Sequence, residues 1–468
     1  MVLYKSTRGV SPSVSFQQAL LSGYAPDGGL YLPETLPSFS REQLRAWAKL
    51  SYVELLQVML PHFISPDEIT AEELKSLLDG CYSKFDDPDD IIPLTKVGGV
   101  KVAEMWHGPT GAFKDIALSI VGRLVDFTVQ KSGRKANIIV STSGDTGSAA
   151  IHSVLGSKNI NIMVWYPRGR VSRVQELQMT TVDAPNVKVF SADGTAEDSD
   201  IPLKKLFTDK DFVSKYNLTC FNSINVSRIL LQAIHFSYLY LRVCPNVDRE
   251  VTFCVPSGGL GNVTGGVVAR NMEVPLKFVC TVNENDIVDR TLRLNDFSMT
   301  DTVLLTPSSA MDVQIPYNIE RLFYYLSGKR TDIVRDVMER FERDGRCKLP
   351  EAITKMNTYL QTARVDTEEL FSAMKQVWQE NNYAICPHTA VGMNAGLRLA
   401  AQNPEEEIVV IATATPAKFP EVMERGGVPV PRVEQIECLF GLPEHKEMVE
   451  KGEDWEKRMR NAVASFQQ

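Results

Sequence analysis

Residues 138–150 read IIVSTSGDTGSAA. Three β-branched apolar residues, Ile138, Ile139 and Val140, predict a buried strand. The hydroxyl-rich glycine turn after them leads into small residues that predict a helix to about Leu155. The same order returns at 251–264, where VTFCV runs into SGGLGN and a helical stretch. Further short apolar strands are expected at Ile160–Trp165, Val187–Phe190, Phe278–Val282 and Ile408–Ala412. Strands alternating with helices argue for parallel sheets covered on both faces, so the chain is read as α/β.

The first 95 residues are richer in helix signals. Ser65-Pro66-Asp67-Glu68 carries an N-cap serine, a proline at the first helical position and a glutamate at the third. Thr70 to Glu73 repeats the capping-box spacing ahead of Leu74, Leu77 and Leu78, whereas Ala25 to Pro33 reads as a turn followed by a short strand. The acidic, proline-broken run DDPDD at 86–90 marks a boundary. The expected organisation is an N-terminal region over 1–95, a large domain from 96–135 and 248–440, a small mobile domain over 136–247, and a C-terminal helix within 441–468. A charged segment at about 333–379 is read as a helical insertion in the large domain.

At 468 residues and 44% hydrophobic, the chain can form two or three well-buried cores. A net charge of -8 forces no basic face, so no nucleic-acid partner is expected. The six histidines are scattered without zinc-like spacing, and no metal is expected. The eight cysteines show no CxxC pair and several sit in apolar runs, which suits reduced core thiols and a cytoplasmic setting. Met1 to Ser13 lacks the apolar core of a signal peptide, and no stretch is apolar enough to span a bilayer.

The chemistry gathers at the turns. Residues 106–115 read WHGPTGAFKD and place Lys114 behind an aromatic residue in a half-apolar, turn-rich setting. Desolvation there favours the neutral amine, which is the form that attacks an aldehyde. Ser143, Gly144, Asp145 and Thr146 open a helix with hydroxyls and backbone N–H groups suited to a carboxylate or phosphate. Gly258, Gly259, Leu260, Gly261 and Asn262 form a second glycine turn without a P-loop lysine, suited to a compact phosphate monoester. Arg170 and Ser172 follow a strand, where ligands of parallel sheets lie, and fit a further phosphate or a solvated loop. Asn225 and Arg228 fit either substrate binding or helix capping. Thr413, Thr415 and Lys418 end the last strand. His388 is an acid/base candidate or a satisfied structural histidine.

Together these motifs resemble the threonine synthase family of pyridoxal-phosphate enzymes, of fold type II. The match spans nearly the whole chain: Ser6-Thr7-Arg8-Gly9, WHGPTGAFKD, STSGDTGSAA, QELQMTT ending at Thr181, NSIN with Arg228, VPSGGLGN, Ser309-Ala310-Met311-Asp312, CPHTAVG and TPAKFPE. The resemblance implies a tryptophan-synthase-β-like fold and pyridoxal 5'-phosphate linked to Lys114. It places the cofactor phosphate in the Gly258–Asn262 turn, the substrate carboxylate at Ser143–Thr146, Asp145 beside the ring and the Thr413 hydroxyl against the ring nitrogen. Arg170, Ser172, Asn225 and Arg228 then serve the substrate, a small phosphorylated amino acid. A monomer or homodimer is expected.

Three departures from the family pattern bear on the reaction. The family's phosphate loop has asparagine and phenylalanine where this chain has Gly259 and Leu260. Its histidine before PAKF is Thr415 here, and its aspartate before PHTAVG is Cys386. These changes resemble the threonine synthase-like 2 branch, which is associated with phospho-lyase activity. The expected reaction converts O-phospho-L-homoserine, and O-phosphothreonine as well, to 2-oxobutanoate, ammonia and phosphate. Threonine synthesis is the alternative, and an inactive member kept for binding or signalling is a second.

Overall fold

The computed structural model describes residues 1–355 and 358–467. Its larger sheet runs, in spatial order, Leu360–Arg364, Leu276–Val282, Val251–Pro256, Ile408–Ala412, Val100–Glu104 and Leu94–Val97. All neighbours are parallel except the last pair. The central strands Val251–Pro256 and Ile408–Ala412 are buried at every residue, as strands covered on both faces must be. The smaller sheet is wholly parallel, in the order Glu447–Val449, Val187–Ala192, Ile160–Pro167, Ala136–Ser141, Leu218–Cys220. All seven strands expected from the sequence are present, the short one at Tyr31–Pro33 included. No helix among the described residues is long and apolar enough to cross a membrane.

Several expectations need correction. Helix Val226–Val243 packs against helix Gly261–Arg270 of the large sheet, so the chain leaves the small sheet some twenty residues before position 247. A Cβ on Gly265 would lie 2.5 Å from the Cβ of Gln232, which shows how closely these helices approach. The segment at 333–379 is not purely helical. Between helices Thr331–Asp344 and Thr367–Asn381 it supplies the edge strand Leu360–Arg364, whose sequence LQTAR is too polar to announce a sheet. The C-terminal region adds more than a helix. Glu447–Val449 extends the small sheet, and helix Trp455–Ala464 packs on helix Ala196–Thr208.

The helix expected to begin at Ser65 is a single turn in which the N–H groups of Glu68 and Ile69 both donate to the Ser65 carbonyl. Its two capping groups are used elsewhere. The Ser65 hydroxyl accepts from the Val2 N–H at 2.7 Å, and the Glu68 carboxylate accepts from Phe16 and Gln17 at 3.3 and 2.8 Å. The Thr70 box does form, and it starts helix Ala71–Leu78.

Buried arginines tie the N-terminal region to the rest. Arg8 meets Glu320 at 3.0 Å and Glu342 at 2.6 Å. Arg321 donates to the carbonyls of Tyr31, Ser223 and Ile224, joining all three regions at one guanidinium. The eight cysteines are thiols, and only Cys438 is exposed.

Helix Lys114–Ser132 carries the chain from the larger sheet to the smaller one and touches helix Asp145–Val154 of the smaller sheet at Gly122, where a Cβ would lie 2.4 Å from the Ser153 carbonyl oxygen. Gly122→Val is expected to destabilise the protein by about 1–3 kcal/mol in urea unfolding, as overpacking does. Unchanged stability would mean that the two helices separate without cost.

Candidate active site

In parallel sheets the carboxyl ends of the strands deliver loops to one side, and here four such ends converge. Ser141, Pro256 and Ala412 end three strands; Glu104 ends the fourth and leads into WHGPTGAFKD. That last stretch is folded by Asp115, whose carboxylate accepts from the Thr110 N–H at 2.9 Å and the Thr110 hydroxyl at 2.7 Å. A Cβ on Gly108 would lie 2.5 Å from that of Asp115, so only glycine permits this turn. The Phe113 N–H donates to the Thr413 carbonyl at 2.8 Å, and the Thr415 N–H to that of Gly111 at 3.0 Å. Lys114 is thereby presented as the first residue of its helix, at the base of a cavity.

The amine meets Asp145 at 3.2 Å. The other oxygen of that carboxylate is held by the Lys418 amine at 2.9 Å and by the Gln175 amide, also at 2.9 Å. Asp145 opens helix Asp145–Val154, where the helix dipole favours an anion. Burial alone would raise its pKa, but the two lysines and Gln175 hold it well below the usual carboxylate range. For Lys114, burial lowers the pKa from the ordinary lysine value; Asp145 opposes this, and Arg228 and Lys418 add to it.

Most residues singled out in the sequence meet in this one cavity. Ser143, Asp145 and Thr146 line one wall, Gly258 to Asn262 another, and Arg228 and Thr413 complete it with Lys114. Gly144 stands behind them as the helix N-cap, at φ +125°. Arg170 lies in an adjoining outer cleft that shares Ser143 and Asp312 with the cavity. Two expectations are overturned. The Ser172 hydroxyl caps helix Arg173–Thr180 and donates to the Lys418 carbonyl at 2.6 Å, so it is already spent. Asn225 is fully buried away from the cavity, capping helix Val226–Val243 and donating to the carbonyls of Leu20 and Cys220.

The glycine turn is shaped by close contact. A Cβ on Gly258 would lie 2.5 Å from the Ala310 carbonyl oxygen, and one on Gly261 2.7 Å from the Cβ of Ser223. Gly259 alone has room, facing the Tyr317 ring. Leu260 takes a left-handed backbone, φ +61°, just before helix Gly261–Arg270, strain of the kind that clusters at functional sites. Three buried donors around the cavity have no protein partner: Arg228 Nε, Asn262 Nδ2 and His388 Nδ1. His388 Nε2 accepts from the Ala310 N–H at 3.1 Å, so its hydrogen sits on Nδ1. Burial lowers its pKa to about 4, which makes it a neutral donor at pH 7 and not a base.

Sequence reasoning passed over Lys418 as a strand end, noted Gln175 only as the first residue of the QELQMTT motif, and missed Tyr317 altogether. Tyr317 bonds Asp200 across the mouth of the cavity. Asp312, noted only as part of a motif, accepts from Thr306, Asn283 and Asn285.

A desolvated amine, two helix N-termini and a set of buried donors without acceptors suit an anionic aldehyde, and pyridoxal phosphate fits them. Fold and site define a pyridoxal-phosphate-dependent enzyme of fold type II. Residues 3–82 match the family described as threonine synthase N terminus, 96–414 that of pyridoxal-phosphate dependent enzymes, and 389–461 that of threonine synthase, C-terminal. The chain is 41% identical to Threonine synthase-like 2 of Xenopus laevis, covering 99% of each. It is 37% identical to threonine synthase of Saccharomyces cerevisiae, covering 90% of this chain and 88% of that protein. The crystal structure of pyridoxal-phosphate-bound threonine synthase from Brucella melitensis superposes with a TM-score of 0.89 at 33% identity, covering 100% of this chain and 99% of that one. The chain belongs to the threonine synthase family, and its cofactor is pyridoxal phosphate.

One histidine of the lysine-bearing stretch gives a pH prediction. His107 lies between Asp86 and Glu104, 2.8 Å from each, with Trp106 stacked on its ring. Burial lowers its pKa, but the two carboxylates outweigh burial and raise it overall. A raised folded pKa contributes stability that is complete below the unfolded value near 6.5 and is lost as pH rises through the folded value. Urea unfolding should show stability falling across that interval, and His107→Gln should flatten the fall. An identical slope in the variant would exclude His107 as its source.

Proposed function

We propose that this enzyme is a phospho-lyase acting on O-phospho-L-homoserine, and on O-phosphothreonine, to give 2-oxobutanoate, ammonia and phosphate. Bound pyridoxal phosphate supplies an aldehyde for the substrate amine and an electron sink for the carbon that loses a proton. The Gly258–Asn262 turn would hold the cofactor phosphate on backbone N–H groups, Thr413 would offer its hydroxyl to the ring nitrogen, and Asp145 would face the ring. Ser143, Gly144 and Thr146 receive the substrate carboxylate at a helix N-terminus. Arg228 faces the substrate from the opposite wall.

Lys114 moves the protons. Its neutral amine takes the Cα proton, hands it back elsewhere on the conjugated system and so becomes neutral again, and then takes a Cβ proton of phosphohomoserine, after which phosphate leaves Cγ with the bonding electrons. Arg170 has no carboxylate partner among the described residues, and it stabilises the leaving phosphate from the outer cleft. With phosphothreonine, phosphate leaves directly from Cβ.

Both outcomes consume one water, and they differ in where it goes. Threonine needs water delivered to Cβ with a base to activate it; the keto acid needs only solvent after release. The observation that carries the lyase reading is that every alternative base around the cavity is engaged. Thr415, at the family's histidine position, spends its hydroxyl capping the Pro416–Lys418 turn and packs under Gly111. His388 is neutral with its acceptor nitrogen occupied. Asp312 and Asp200 are bound by neighbours. Threonine synthesis stays as the second reading because the Saccharomyces relative carries that name.

Product analysis from O-phosphohomoserine decides between them. Ammonia and 2-oxobutanoate should appear in equal amounts with phosphate, and threonine as the main product would reverse the assignment. Lys114→Ala should lower phosphate release by roughly a thousandfold or more.

A further inference from the structure

We infer that Lys418 is a positioning residue: it takes up the charge of Asp145, so that Lys114 on the other oxygen of the same carboxylate can give up its proton without leaving its place. The inference rests on Lys114 as the reactive amine.

The geometry is unusual for a lysine. The Lys418 side chain has 0% exposure and does not line the cavity, so it cannot touch substrate. Its amine is held by Asp145 at 2.9 Å and by the Thr110 carbonyl at 2.8 Å. A buried ammonium needs such partners, and Asp145 is the one carboxylate it pairs with among the described residues. The unit is rigid from behind. Ser172 donates to the Lys418 carbonyl at 2.6 Å, and Gln175 of the following helix donates to Asp145 at 2.9 Å.

The chemical need is plain. A lone buried carboxylate 3.2 Å from Lys114 would hold the proton on that amine, because an opposite charge at this range favours the ionised form. A lysine that must act as nucleophile and then as base is poorly served by that neighbour. With Lys418 on the first oxygen, Lys114 meets a carboxylate whose charge is already balanced, yet it keeps the contact that aims it. The other titratable groups facing the amine do not substitute for Lys418. Arg228, from helix Val226–Val243, is also cationic but donates to the Phe221 carbonyl and does not touch Asp145. His388 is neutral, Cys386 is a buried thiol, and Asp115 is engaged by Thr110. Burial and the two neighbouring cations all push Lys114 toward its neutral form.

The test is competitive acetylation of the full-length protein freed of cofactor, followed at the Lys114 peptide by mass spectrometry between pH 6 and 11. In the wild type Lys114 should react with a midpoint below that of surface lysines in the same chain. Lys418→Met should lower its labelling at pH 8 by about tenfold or more, moving the midpoint upward, whereas Lys418→Arg should keep most of it. A folded Lys418→Met protein labelled like wild type would overturn the inference. So would equal losses in the Met and Arg variants, which would reveal packing alone. If Lys418→Met does not fold, the wild-type profile decides, and a midpoint at or above that of surface lysines counts against the inference. Because the readout needs neither cofactor nor turnover, it can fail while the functional reading stands, and the reverse.

Discussion

A carboxylate removed from water has to be paired, and Asp145 is paired twice, by Lys114 on one oxygen and by Lys418 on the other. Much of the molecule serves this arrangement. Lys114 arrives from the loop after strand Val100–Glu104, Asp145 from the small sheet, and Lys418 from the turn after strand Ile408–Ala412. The pair therefore joins the two sheets at the point where their loops converge.

The surrounding backbone is fixed by contacts that leave little freedom. Asp115 folds the lysine-bearing turn, the 113 and 415 N–H groups stitch that turn to the end of the last strand, and glycines at 108, 258 and 261 permit approaches a side chain would block. The positioning is thus built into loops supported by strands, the usual division of labour in α/β folds. Gly259 is the exception in its loop, since it has space beside Tyr317.

Much of this was legible in the sequence, for physical reasons. Strands buried on both faces are written as unbroken apolar runs, so Val251–Val255 and Ile408–Ala412 could be read directly. Glycine turns at strand ends likewise pointed to anion sites. What escaped notice was written in polar residues whose partners lie far along the chain. The edge strand Leu360–Arg364 looks like helix or loop because one side of it faces no neighbouring strand. Ser65 and Glu68 carry a capping signature but spend it on residues 2, 16 and 17. Ser172 and Asn225 were read as ligand groups, yet each satisfies a backbone group that only the folded chain brings near. Lys418 was visible but not its burial, because its partner stands 273 positions earlier, at 145 against 418.

The central claim is that one amine, Lys114, carries the cofactor. Reduction of the holoprotein with borohydride, followed by peptide mapping, tests it most directly. The account predicts a single pyridoxyl mark, on the peptide containing Lys114. A mark on Lys418 or on any other lysine, or none at all, would contradict it.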